Sequence, residues 1–342
     1  MLLQGWAIAL MVSFLDTLFL GLYSALCAVR ILRYWDQNAD TARQIRLEGE
    51  TWLSSALMQY GLFFQLFSFV LLVLAADSFS GQLAGAMCAT GAFTANGFGI
   101  PALFVKIVMV FFCGYWLLLH RLDLQVETYP LVRLKYVCLL LLIPLLLVDG
   151  TLQLLYLSSL EPDVITSCCG VLFRPAENDG FNLLNPFSVP LLLLIFYSLA
   201  MLLIGMGIWL QRRISKTTGR VRCWPMGFYA CCWALFFVVS LWAITIFFSS
   251  YIYAMPSHRC PFDIIQAEYN YIGYPLYLTL FVATFLGTGC GVAEMVRCRE
   301  GLEPVVDRFQ ATALPAALIL LIIFLLLSGY APLRYIIAGG EV

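Results

Sequence analysis

The sequence predicts an all-α protein, a polytopic membrane helical bundle, and three observations carry that expectation. Of 342 residues, 62% are hydrophobic and 11% charged, with a mean hydropathy of +0.90, whereas soluble chains carry about 25% charged residues. Apolar runs recur that are long enough to cross roughly 30 Å of hydrocarbon as helices. Net charge is −1, with no acidic or basic block. Neither the charge nor a domain of soluble size points to a nucleic-acid partner, and the lipid bilayer is the expected surrounding.

The spans expected are approximately 5–29, 53–76, 100–119, 136–158, 188–210, 226–252, 271–295 and 313–333, eight in all. The first has no positive stretch before it and runs too long for a cleaved apolar segment. It reads as a retained span, not a signal peptide.

Basic residues set the orientation. Arg30, Arg33, Arg43 and Arg46 follow span one; Arg121, Arg133 and Lys135 lie between three and four; Arg212, Arg213, Lys216, Arg220 and Arg222 between five and six; Arg297, Arg299 and Arg308 between seven and eight. The opposite side has only Arg174, Arg259 and Arg334, with Lys106 inside a span. The basic loops are therefore expected in the cytoplasm and both termini outside it. A cell membrane is the expected location, a bacterial inner or plasma membrane.

The outward loops are 77–101, between spans two and three; 161–190, between four and five; and 255–275, between six and seven. The first and third share a pattern. Asn96, Gly99 and Pro101 read N-x-x-G-x-P, as do Asn270, Gly273 and Pro275. Each motif stands at a helix mouth, where Pro presets φ and Gly permits a tight turn. The preceding spans match loosely, with Trp52 against Trp224 and Leu62-Phe63-Phe64 against Leu235-Phe236-Phe237. The organisation expected is two four-helix repeats in parallel orientation, 1–158 and 188–342. They would be joined by an extracytoplasmic loop, 159–187, that carries Cys168 and Cys169.

Four of the twelve cysteines, Cys88, Cys168, Cys169 and Cys260, fall in outward loops, where an oxidising compartment lets disulfides persist. Two readings stay open. In one, Cys168 and Cys169 take Cys88 and Cys260 as partners and staple the central loop to both halves, each bridge stabilising by roughly 2–4 kcal/mol. In the other, Cys260 is an active thiol. His258 and Arg259 precede it and favour the thiolate, while Asp263 opposes it. The sequence Cys260-Pro261-Phe262-Asp263 resembles the C-P-x-C active sequence of thioredoxin-type proteins, with Asp263 in place of the second cysteine. A resolving thiol would then come from another loop, Cys88 or the Cys168/Cys169 pair. Such a site is similar in logic to quinone-linked disulfide-forming proteins, and a quinone is the cofactor it suggests.

Charges inside spans are costly, on the order of 3 kcal/mol at a helix centre. Asp16, Lys106 and Asp149 lie well inside spans, and Lys106 and Asp149 reach comparable depth on consecutive antiparallel spans. Lys106 and Asp149 suit either an ion pair that fixes packing or a proton or quinone-proximal site near the outer leaflet, while Asp16 has no obvious partner in the sequence. Tyr251, Tyr253, Tyr269, Tyr271, Tyr274 and Tyr277 crowd the outer ends of spans six and seven, as an interfacial aromatic belt would. Alternatively, Tyr271 and Tyr274, with Glu268, Asn270 and Gln266 beside them, line a headgroup or quinone pocket.

Several chemistries are set aside. The two histidines, His120 and His258, lie at opposite faces and cannot ligate one metal together. There is no C-x-x-C, haem-attachment sequence, Walker sequence, G-x-S-x-G, H-E-x-x-H or dinucleotide fingerprint. No metal is expected. Three functions remain: a thiol/disulfide redox protein, a transporter or permease component with its site between the halves, and a non-catalytic anchor for an extracytoplasmic protein partner.

Overall fold

The computed structural model describes residues 3–35, 41–84, 86, 88–163, 188–214, 223–255 and 258–338, and among these there is no strand. Among the described residues, eight helices are long and apolar enough to cross a membrane. In chain order they are α1 (Gly5–Tyr34), α2 (Ala42–Ser80), α4 (Gly99–Asp123), α5 (Val132–Ser158), α6 (Val189–Ile214), α7 (Cys223–Ile252), α8 (Gly273–Val296) and α9 (Glu303–Ile337), with a short α3 (Ala89–Thr94) between α2 and α4.

The helices overrun the expected spans where polar sequence continues the 3.6-residue period. α2 begins at Ala42, capped by the Thr41 hydroxyl accepting from Gln44 N at 3.3 Å, and α9 begins at Glu303. An apolar window marks only the part of a helix that needs lipid, so it stops short of such extensions.

The chain divides into two compact units. Unit one comprises Met1–Ala84, Ala92–Thr166 and Arg299–Val305. Within it α1 packs on α2 and α5, α4 on α5, and α2 on α4, around Cys27, Ile31, Met58, Leu62, Met109, Cys113, Trp116, Tyr136 and Leu142. Lipid tails are as apolar as leucine, so these contacts rest on close packing. Small residues supply it: Gly21 lies under Ile143 and Leu146, and Gly150 under the Phe14 ring.

Unit two comprises Gly85–Gly91, Ser167–Cys298 and Val306–Val342. Gly287 and Gly291 on α8 form a G-x-x-x-G face that receives Trp233 and Ala230 of α7, which brings the two helices together. Phe196 of α6 stacks on Phe236 of α7 at 5.4 Å, and Phe324 of α9 meets both rings edge-on. A π-helical turn, Ile244–Phe248, interrupts α7 just before its last turn. One extra residue in a turn rotates everything beyond it by about 100°, and Tyr253 lies beyond it.

Candidate functional site

Between α7 and α8 the chain makes two 3₁₀ turns, Asp263–Ile265 and Ala267–Tyr269. Asn270 and Tyr271 then adopt left-handed φ values of 54° and 56°. Asparagine visits this region readily, whereas a bulky residue there is uncommon. Tyr271 is held by its N–H donating to Gln266 O at 3.2 Å. The turn closes against Gly273, where a Cβ would stand 2.8 Å from the Ile264 carbonyl oxygen, so only glycine fits without a shift. The other N-x-x-G-x-P shares the close approach at its glycine but not the left-handed asparagine. A Cβ on Gly99 would run into the Phe93 carbonyl, and the Asn96 side chain accepts from Phe98 N and Gly99 N at 3.0 and 3.2 Å.

This turn presents Cys260 and Asp263 to Cys88, which immediately precedes α3. The two sulfurs and a carboxylate oxygen of Asp263 all lie within 4.8 Å of one another, and all three residues are buried. The cysteines are not joined in a disulfide. The Cys260 thiol donates to Asp263 Oδ1 at 3.2 Å, and the other carboxylate oxygen meets His258 Nε2 at 2.7 Å. Phe262 N–H donates to the Cys260 sulfur at 3.4 Å, and the Thr90 hydroxyl lies 3.5 Å from it. The His258 side chain keeps 29% of its exposure.

Burial pushes the Asp263 carboxyl up from the ordinary carboxylate range, and Cys88 adds to this, while Cys260 and His258 oppose it. The backbone of the turn is pinned by phenols: Tyr253 OH donates to Cys260 O at 2.5 Å and Tyr277 OH to Pro261 O at 2.6 Å. Burial raises the Tyr253 phenol far above its usual value, which keeps it a donor. Its ring also packs on His258 and Tyr269, at 4.6 and 4.5 Å between centroids. Chemically, the cluster offers two thiols, a carboxylate that can take a thiol proton, and an imidazole that orients the carboxylate.

The other candidates fall elsewhere. Glu268, Asn270, Tyr271 and Tyr274 are exposed. Of the six tyrosines, Tyr253 and Tyr277 bond the backbone of Cys260 and Pro261, and Tyr269 packs on the Tyr253 ring; nothing in the sequence distinguishes these three until the turn is folded. Cys168 and Cys169 lie outside the described residues.

Among the span charges, Lys106 Nζ contacts Asp149 Oδ2 at 2.6 Å, both fully buried. Gln65 donates to the same oxygen at 2.7 Å, and Lys106 also reaches Ser68 at 3.1 Å. Asp149 Oδ1, Gln65 Oε1 and both polar atoms of Gln153 have no hydrogen-bond partner among the described residues. Asp16 is apart from this group, exposed on α1. A second buried pair that sequence reasoning passed over joins Lys135 to Asp123 at 2.6 Å, with His120 Nδ1 3.4 Å from the Lys135 ammonium.

No family model, no curated protein and no solved structure matches the chain.

Proposed function

We propose that the protein carries a thiol/disulfide redox site on the extracytoplasmic face of the membrane, formed by Cys260 and Cys88. The observation that carries the reading is the meeting of two thiols far apart in sequence, beside a carboxylate already hydrogen-bonded to one of them. In the oxidising step the Cys260 and Cys88 thiols each lose a proton and together give up two electrons as their S–S bond forms. A lipid-soluble quinone takes the two protons and two electrons and becomes the quinol. Asp263 accepts the Cys260 proton on its way to the quinone, and the Phe262 N–H supports the Cys260 thiolate, the form that is oxidised.

Differential alkylation with mass spectrometry, before and after treatment with a quinone or with reductant, tests this. The expected result is a Cys88–Cys260 disulfide that forms on oxidation and opens on reduction. Two thiols that stay alkylatable under every oxidant, or a Cys260→Ser protein that oxidises partner proteins as well as wild type, would remove the reading.

A transport reading draws on a separate observation, the fully buried Lys106–Asp149 pair with unsatisfied polar atoms around it. Intramembrane ion pairs of this kind mark ion or proton pathways in transporters. Loss of uptake in Asp149→Asn is the result it requires.

The parallel duplication into 1–158 and 188–342 belongs with this proposal. It is supported by the shared closure of Gly99 and Gly273 against a preceding carbonyl. A further correspondence supports it: the spacing from Asn96 to Asn270, applied to Asp123, lands on Arg297. Asp123 pairs with Lys135 at the start of α5, and Arg297 with Asp307 in the first turns of α9 at 3.3 Å, with the charges exchanged.

A further inference from the structure

Two sulfurs suffice for a disulfide, yet this cluster also holds a carboxylate and an imidazole. Asp263 places a carboxylate oxygen within 4.8 Å of both sulfurs, and the second oxygen of that carboxylate is fixed by His258 at 2.7 Å. Cys260 in turn receives a backbone N–H from Phe262 at 3.4 Å. Each of these belongs to the architecture of a thiolate metal centre: ligands converging on one point, N–H donors turned toward a ligating sulfur, and a ligating carboxylate held from behind by a hydrogen-bonded side chain.

We infer that Cys88, Cys260 and Asp263 form a binding site for a thiophilic divalent cation of the Zn²⁺ class, with His258 as the positioning residue behind Asp263. The donor set selects the cation. Two thiolates alone would suit Cu⁺, but a hard carboxylate ligand beside them suits Zn²⁺, which accepts sulfur and oxygen together in a tetrahedron. Three protein ligands leave the fourth position open, which Zn²⁺ fills with water or with a ligand from outside. The divalent charge offsets the cost of holding two thiolates and a carboxylate in a buried setting. Sequence spacing conceals the site because no two sulfur ligands are near neighbours in the chain.

The inference shares its residues with the redox reading without depending on it, since the cation needs both sulfurs reduced and the disulfide needs them joined. Occupancy and disulfide exclude each other.

The test is titration of the reduced, detergent-solubilised full chain with Co²⁺ alone. The expected result is a thiolate-to-cobalt charge-transfer band with the visible bands of tetrahedral Co²⁺, saturating at one ion per chain and bleached by Zn²⁺. Cys88→Ser and Cys260→Ser should each remove at least half of the charge-transfer intensity. His258→Gln should weaken Co²⁺ roughly 10–100-fold while keeping the band shape, as loss of a partner behind a ligand does. Cys298→Ser, at an exposed cysteine, should change nothing.

A reduced wild type with no charge-transfer band overturns the proposal, as does a band that survives both cysteine substitutions, or saturable Cu⁺ binding with none of Co²⁺ or Zn²⁺. Should the serine variants lose the monodisperse elution of wild type, X-ray absorption of the Zn²⁺-loaded wild type decides instead. Two sulfurs with one or two lighter ligands are expected, and fewer than two sulfurs refutes the site. Failure here with a mapped Cys88–Cys260 disulfide sinks the cation alone, while cobalt bands with no disulfide under any oxidant sink the redox reading alone.

Discussion

The ammonium of Lys106 stands 2.6 Å from Oδ2 of Asp149, and neither side chain retains any exposure. In an apolar interior such a pair is held less by its own attraction than by the cost of breaking it. Removing one partner leaves the other charged and buried, at about 3–5 kcal/mol. Lys106→Met and Asp149→Leu should each lower the thermal unfolding temperature in detergent sharply. The double variant should recover most of that loss. Additive losses in the double variant would mean that the two residues act independently.

Glycine at the two helix mouths is expected to be irreplaceable, for a backbone reason. The carbonyls of Phe93 and Ile264 occupy the places where Gly99→Ala and Gly273→Ala would put a methyl group. Backbone cannot move aside as a flexible side chain can, so each substitution should destabilise by roughly 1–3 kcal/mol. Gly273→Ala should also speed alkylation of Cys260, because Ile264 adjoins Asp263. Gly99→Ala should not. Gly205, where a Cβ meets nothing within 4 Å, serves as the tolerant control.

The Tyr253 phenol fixes the Cys260 carbonyl. Tyr253→Phe removes one hydrogen bond and leaves a buried acceptor without its donor, at about 1–3 kcal/mol locally. Faster alkylation of Cys260 in the reduced protein is the expected outcome, with the global unfolding temperature shifted by far less than in Lys106→Met. An unchanged alkylation rate would show that the turn is held without Tyr253.

Asp16 sits on an exposed face of α1, between the exposed Leu15 and the buried Thr17. A carboxylate facing lipid at mid-helix is costly on insertion, on the order of 3 kcal/mol. Asp16→Leu should therefore raise the yield of membrane-inserted protein. A lower yield would mean that this face is covered when the protein inserts.

Eight membrane-crossing helices were legible from composition because hydrophobic length is a local property. Each run of apolar residues decides by itself whether it prefers lipid or water, with no need of the rest of the chain. The N-x-x-G-x-P turns were legible for a similar reason, since glycine and proline act on their own backbone. Lys106 and Asp149 could be matched in depth because consecutive antiparallel helices carry their depths in their numbering.

The inward-facing tyrosines were not legible. Tyr253 and Tyr277 differ from Tyr271 and Tyr274 only in which way a π-turn and a pair of left-handed residues aim them. Nor did any spacing bring Cys88 to Cys260 and Asp263, since a cluster drawn from two distant loops exists only once the intervening helices have packed. The sequence by itself determined the solvent, the helices and their turns, all of which follow from short-range chemistry. His258, Cys260 and Asp263 already stand together in the sequence, and the tertiary structure alone decided that Cys88 joins them, because long-range proximity depends on packing that no local pattern encodes.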